Sequence, residues 1–111
     1  MDRKQLKKEL IPFCEEFKNK YPATEIIQLV ESMPGLAGTP YAIKIIAEIP
    51  DSKYYDAIAD ACKILWENVN SDARSKIVDI RIDAEDYTYF GMQKTFLLYN
   101  EDEPLQWQIN N

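Results

Sequence analysis

Histidine is absent from this 111-residue chain, and cysteine and glycine are scarce, at two and three residues. The first absence removes histidine acid–base catalysis, the Ser-His and Cys-His nucleophile pairs and mixed Cys/His zinc sites. Cys14 and Cys62 form no CxxC pattern. With Gly35, Gly38 and Gly91 as the only glycines, there is no Gly-rich phosphate loop. No apolar run approaches the roughly 20 residues of a membrane span. The opening MDRKQLKKEL is too charged for the core of a signal peptide. A cytoplasmic protein with two free thiols is therefore expected.

Positive charge is also in short supply: 13 Lys and Arg stand against 19 Asp and Glu, for a net charge of −6. The imbalance is uneven. Residues 1–20 carry a charge of +2 and residues 77–111 a charge of −5, the latter holding only Arg81 and Lys94 as cations. Such a surface repels phosphate backbones, which excludes ordinary nucleic-acid binding. It attracts a basic protein and speeds the encounter with it.

The remaining composition, 46% hydrophobic and 29% charged, is that of a folded protein, and the length suits one compact domain over residues 1–111. Leu6, Leu10, Phe13, Phe17 and Tyr21 recur at helical spacing, with Pro12 expected to kink or restart the helix and Pro22 to end it. Residues 24–33 read as a second helix capped by Thr24, although Ile26, Ile27, Leu29 and Val30 equally suit a buried strand. Alternation predicts a strand over residues 41–49, closed by Pro50, with Asp51 or Ser52 capping the next element. Tyr55, Ile58, Cys62, Leu65 and Val69, with Trp66 beside them, form the clearest helical stripe and are expected in the core, as are Cys14 and Trp107.

Three further strands are expected: residues 77–83, about 87–99 with a bulge or bend at Gly91, and 105–109. The order is α-α-β-α-β-β-β. It predicts an α+β fold with a mixed four-stranded sheet, a parallel crossover, a C-terminal antiparallel meander and helices packed on one face. The other face is expected to be open and polar.

Strand parity places Asp79, Arg81, Asp83, Tyr87, Tyr89, Tyr99, Gln106 and Gln108 on that open face, flanked by turns holding Glu85, Asp86, Glu101, Asp102 and Glu103. Tyrosine offers a large contact area and a hydroxyl at little rotamer cost, so these residues form the candidate partner-binding set. Chemical readings are poorer. Arg81 between Asp79 and Asp83 would neutralise a cation site, and cross-strand ion pairing explains the trio more simply. Residues 50–53, PDSK, resemble a fragment of a metal-dependent nuclease motif. Those sites need ligands spread over separate strands, whereas here the residues read as a helix start. No cofactor, metal or catalytic residue is expected.

In size, charge and lack of chemistry the chain resembles the small acidic immunity proteins with which bacteria neutralise toxins. That resemblance implies a non-enzymatic inhibitor, of antitoxin type, for a protein with a basic surface such as a toxin nuclease domain. The alternative is a general interaction or regulatory domain, for example a phage-encoded inhibitor or an adaptor. A small enzyme using carboxylates and tyrosine is the third reading.

Overall fold

Pro12 divides the N-terminal helix. The computed structural model describes residues 3–32 and 40–84, and the backbone of 95–100. Helix α1 spans Arg3–Glu9, Leu10 forms a turn, and α2 restarts at Ile11–Lys20 with Pro12 in its first turn, where a missing N–H costs least. The apolar stripe nevertheless runs on unbroken. Leu6, Leu10, Phe13 and Phe17 are all buried. Phe17 stacks between Phe13 and Tyr21 at centroid distances of 5.9 and 4.9 Å.

The expected second helix is a strand. β1 covers Thr24–Glu31 and pairs antiparallel with β2, Tyr41–Ala47. Half of β1 is β-branched, at Thr24, Ile26, Ile27 and Val30, and such side chains fit an extended, packed backbone better than a helix. The Thr24 hydroxyl does not cap a helix. It donates back to the Tyr21 carbonyl at 2.7 Å. The Lys18 ammonium donates to the carbonyls of Pro22 and Thr24 at 2.7 and 3.0 Å, so the corner between α2 and β1 is bonded from both sides.

After β2, residues Asp51–Lys53 make a single 3-10 turn, with the Lys53 N–H donating to the Pro50 carbonyl at 2.8 Å. Neither Asp51 nor Ser52 supplies a side-chain cap. Helix α3 comes next at Tyr54–Asn68, then one helical turn at Ser71–Arg74 capped by the Asn70 side chain, then β3 at Ile77–Asp83. β3 lies parallel to β2, as a strand–helix–strand crossover requires.

The fold is therefore α+β with a mixed sheet, β1-β2-β3. β4, Thr95–Asn100, runs antiparallel on the other side of β1, giving the order β3-β2-β1-β4. This is not the sheet expected from the sequence. A strand, β1, stands where a helix is expected, and among the described residues β3 and β4 lie at opposite edges, so the expected meander is not seen. The intervening residues 85–94 and the expected strand at 105–109, with Trp107, lie outside the described residues.

All three helices contribute to one core against one sheet face, meeting Ile27 and Leu29 of β1, Ile43 and Ile45 of β2 and Ile82 of β3. The opposite face is not open along the centre of the sheet. Val30, Ala42 and Ile46 are buried there, and so is the charged Lys44 between the last two, paired across from Gln28, so this face is covered along β1 and β2 but is not uniformly apolar. The open, polar character survives on β3, where Asp79 and Arg81 are exposed.

Candidate interaction surface

α3 is rotated relative to its expected setting. It buries Ala57, Ala61 and Ile64, while Ile58 and Leu65 are only partly buried against the core. Cys62 is exposed, and Tyr55 and Trp66 are 83% and 70% exposed. Two alanines on the buried face occupy little space against the core. The larger apolar side chains are then left on the flank toward β3, outside the contact.

That flank and β3 enclose a groove of about 360 Å³, lined by Ile58, Cys62, Leu65, Trp66, Arg74 and residues 77–80. The strand side is shaped by a register shift. Tyr41 pairs with Ile77 and Ala42 with Asp79, so Val78 has no partner on β2. A bulge of this kind turns a side chain out of the regular alternation. Val78, expected beside Ile80 and Ile82 on the core side, is 58% exposed, and Ile77 packs against the core with Ile80.

Arg74 closes the groove at the end of α3. Its guanidinium lies 4.0 Å from the Trp66 ring centroid, a cation–π distance. Its Nη1 donates to the carbonyls of Trp66 and Val69 at 2.9 Å, placing a cation at the negative end of the helix. Asp79 is engaged by Arg81, whose Nε donates to its carboxylate at 3.0 Å. The groove is thus largely apolar, with Asp79 paired and Arg74 bonded through Nη1, while the buried Arg74 Nε has no hydrogen-bond partner among the described residues.

A second hollow, of about 310 Å³, opens at the carboxyl ends of the parallel strands β2 and β3. Ala47, Ile49 and Ile82 line its apolar part, and Asp51, Tyr54 and Asp83 its polar part. Tyr54 meets Tyr55 edge-to-face at 5.5 Å. Asp51, Lys53 and Asp56 are exposed around this end of α3.

On its remaining side α3 is held to α2 by the Tyr21 hydroxyl, which donates a hydrogen bond to the Asp60 carboxylate. Lys20 lies 3.4 Å from the same carboxylate. Burial, then the bond to Asp60, pushes the Tyr21 phenol up to about 12. The Tyr21 bond holds the Asp60 carboxyl below its usual range, with Lys20 helping. Cys14 is buried in the core, and burial pushes its thiol above the ordinary thiol range, as expected for a structural cysteine.

Of the residues expected to bind a partner, Asp79 and Arg81 are together on the exposed part of β3, but as an ion pair with each other. Asp83 is half-buried at the terminal hollow. Tyr99 stands in register with Ile27, a residue of the helix-covered face, and not opposite a residue of the second face. Glu85, Asp86, Tyr87, Tyr89, Glu101, Asp102, Glu103, Gln106 and Gln108 lie outside the described residues. Sequence reasoning misses Tyr55 and Trp66 because they share an apolar stripe with true core residues, and it leaves Tyr54 unassigned. The adjacent tyrosines between Asp51 and Asp56 are the available signal.

Comparison with protein-family models, curated proteins and solved structures finds no match. Among the described residues, no helix is long and apolar enough to cross a membrane.

Proposed function

We propose that this protein is a non-enzymatic protein-binding inhibitor of the immunity type, which neutralises a basic toxin, such as a nuclease domain, by covering it. One observation carries the reading: the exposed tyrosine pair Tyr54–Tyr55 stands beside the hollow that Asp51 and Asp83 line. A lysine or arginine of the partner would lay its aliphatic stem on Ile49 and Ile82 and direct its charge toward the two carboxylates. Amphipathic cations favour such a combination of apolar floor and acidic rim. Tyr55, 83% exposed, would supply the aromatic contact that binding surfaces use as an anchor. The net charge of −6 would steer a basic partner toward the protein.

The general interaction domain remains the second reading, and the apolar α3–β3 groove favours it. Its lining is mostly apolar and its carboxylate, Asp79, is paired with Arg81, so it suits a neutral, apolar segment better than a basic one.

The test begins with affinity capture from the source cell and identification of the partner by mass spectrometry. The purified partner's enzymatic activity is then titrated with wild-type protein and with Tyr55→Ala and Asp51→Asn/Asp83→Asn. The inhibitor reading expects stoichiometric loss of activity with wild type and weaker inhibition by both variants. A captured partner whose activity is unchanged would place the protein among adaptors.

A further inference from the structure

We infer that β3 is a self-recognition edge, and that a second copy of this chain adds its own β3 antiparallel to it about a two-fold axis at Ile80. The inference is independent of the inhibitor reading and rests on the edge alone.

Among the described residues β3 pairs only with β2 and lies at the sheet's edge. Exposed edges invite pairing with another chain, and proteins block them with lysine, proline, bulges or unmatched charge. Ile77–Asp83 contains no lysine and no proline, its bulge is confined to Val78 at the strand's start, and its charges are Asp79, Arg81 and Asp83. Their spacing decides which self-pairings are allowed. Directly opposed residues of an antiparallel pair share a face, so a two-fold axis normal to the sheet must pass through a residue.

An axis at Asp79 sets that carboxylate against its own copy. An axis at Arg81 opposes two guanidinium groups and sets Asp79 against Asp83. An axis at Ile82 overlaps only the last few residues of the strand. The axis at Ile80 overlaps the whole strand and sets Asp79 opposite Arg81 twice, once in each direction. It also sets Ile80 opposite itself on the helix side, and brings Val78, which the bulge leaves exposed, level with Ile82. Symmetric dimers use such self-complementary patches.

The apolar surface beside this edge supports the same occupant. Val78 and Trp66, 58% and 70% exposed, stand next to the strand that would be paired, and a second sheet continued from β3 would cover part of them. The ion pair already formed within one chain, Arg81 to Asp79 at 3.0 Å, is exposed and contributes little by itself. Exchanging it for two pairs across the axis therefore sacrifices little.

Sedimentation equilibrium of the full chain tests the inference by a charge swap. Wild type is expected at twice the 12.9 kDa chain mass. Arg81→Asp sets aspartates against each other and is expected at the single-chain mass. Asp79→Arg/Arg81→Asp restores opposite charges and is expected to return to the doubled mass. Arg81 exposes 43% of its side chain, and far-UV circular dichroism checks that each variant folds. Val78→Lys, at another exposed position, provides a second disruption and is also expected at the single-chain mass. The inference is overturned if wild type stays at one chain mass up to its solubility limit, or if Arg81→Asp remains dimeric. It is overturned equally if the swapped variant fails to recover, since an axis at Ile82 would give that result.

Discussion

Helices α2 and α3 each carry an apolar stripe and one cysteine, and they use them in opposite ways. On α2 the large residues are the contact: Phe13 and Phe17 are fully buried, with Cys14 beside them. On α3 the contact is made largely by Ala57 and Ala61, while Tyr55, Cys62 and Trp66 remain outside. The difference is one of side-chain size at the contact. A helix that packs through phenylalanines spends its stripe on the core. A helix that packs through alanines leaves its large side chains to overhang as surface. An amphipathic pattern therefore locates an apolar flank without showing whether its widest residues face protein or solvent.

The largest expected effect lies on the α2 side. Phe17→Ala removes a buried ring stacked on both neighbours and should cost about 3–5 kcal/mol in urea denaturation. A loss below about 1 kcal/mol would remove the distinction between the helices. Next comes overpacking on the α3 side. Ala61 is fully buried, and Ala61→Leu should cost about 1–3 kcal/mol. If Ala61→Leu were neutral or stabilising, the packing of α3 through its alanines would be wrong.

The link between the two helices should be smaller and pH-dependent. Tyr21→Phe should cost about 1–2 kcal/mol at neutral pH, the lower end for a hydrogen bond to a charged group because the Asp60 side chain is partly exposed. Two shifts set the sign of the pH dependence. Asp60 has a lowered pKa in the fold, so its contribution is present above the ordinary carboxylate value of about 4 and is lost as pH falls below it. Tyr21 is raised to about 12, so its contribution is present below the ordinary phenol value of about 10 and is lost as pH rises toward 12. The stability difference between wild type and Tyr21→Phe should be flat between about pH 5 and 9 and shrink on both sides. A difference independent of pH throughout would show that Asp60 and Tyr21 do not act together. The smallest effect on stability belongs to the overhang: Tyr55→Ala should change the unfolding free energy by about 0.5 kcal/mol or less, as exposed substitutions do.

Much of the architecture is legible because period and proline are local signals. The stripe from Leu6 to Phe17, the break at Pro12, the alternation of β2 and the opposition of Ile80 and Ile82 to Asp79 and Arg81 all come from spacing. β1 is not legible as a strand because eight residues with four adjacent or near-adjacent aliphatics satisfy both periods. Thr24 and Pro34-Gly35 bound either element. The edges of the sheet are not legible either. Nothing in the sequence of β3 or β4 states that β1 and β2 stand between them. Of the candidate site, the acidic character of Asp83 and the exposure of Asp79 and Arg81 can be read from parity. Periodicity assigns Tyr55 and Trp66 to the core. The burial of α3 depends instead on which side faces the sheet, a property of packing.

The rotation of α3 is the central claim, and the two cysteines measure it directly. Cys62 lies on the overhanging flank and is exposed, and Cys14 lies in the core and is buried. Native protein treated with a thiol-reactive probe, quenched over time and mapped by peptide mass spectrometry, should label Cys62 rapidly. Cys14 should label only on addition of denaturant. Protection of Cys62 to the level of Cys14 would put the stripe Tyr55, Cys62 and Trp66 back in the core and contradict the account.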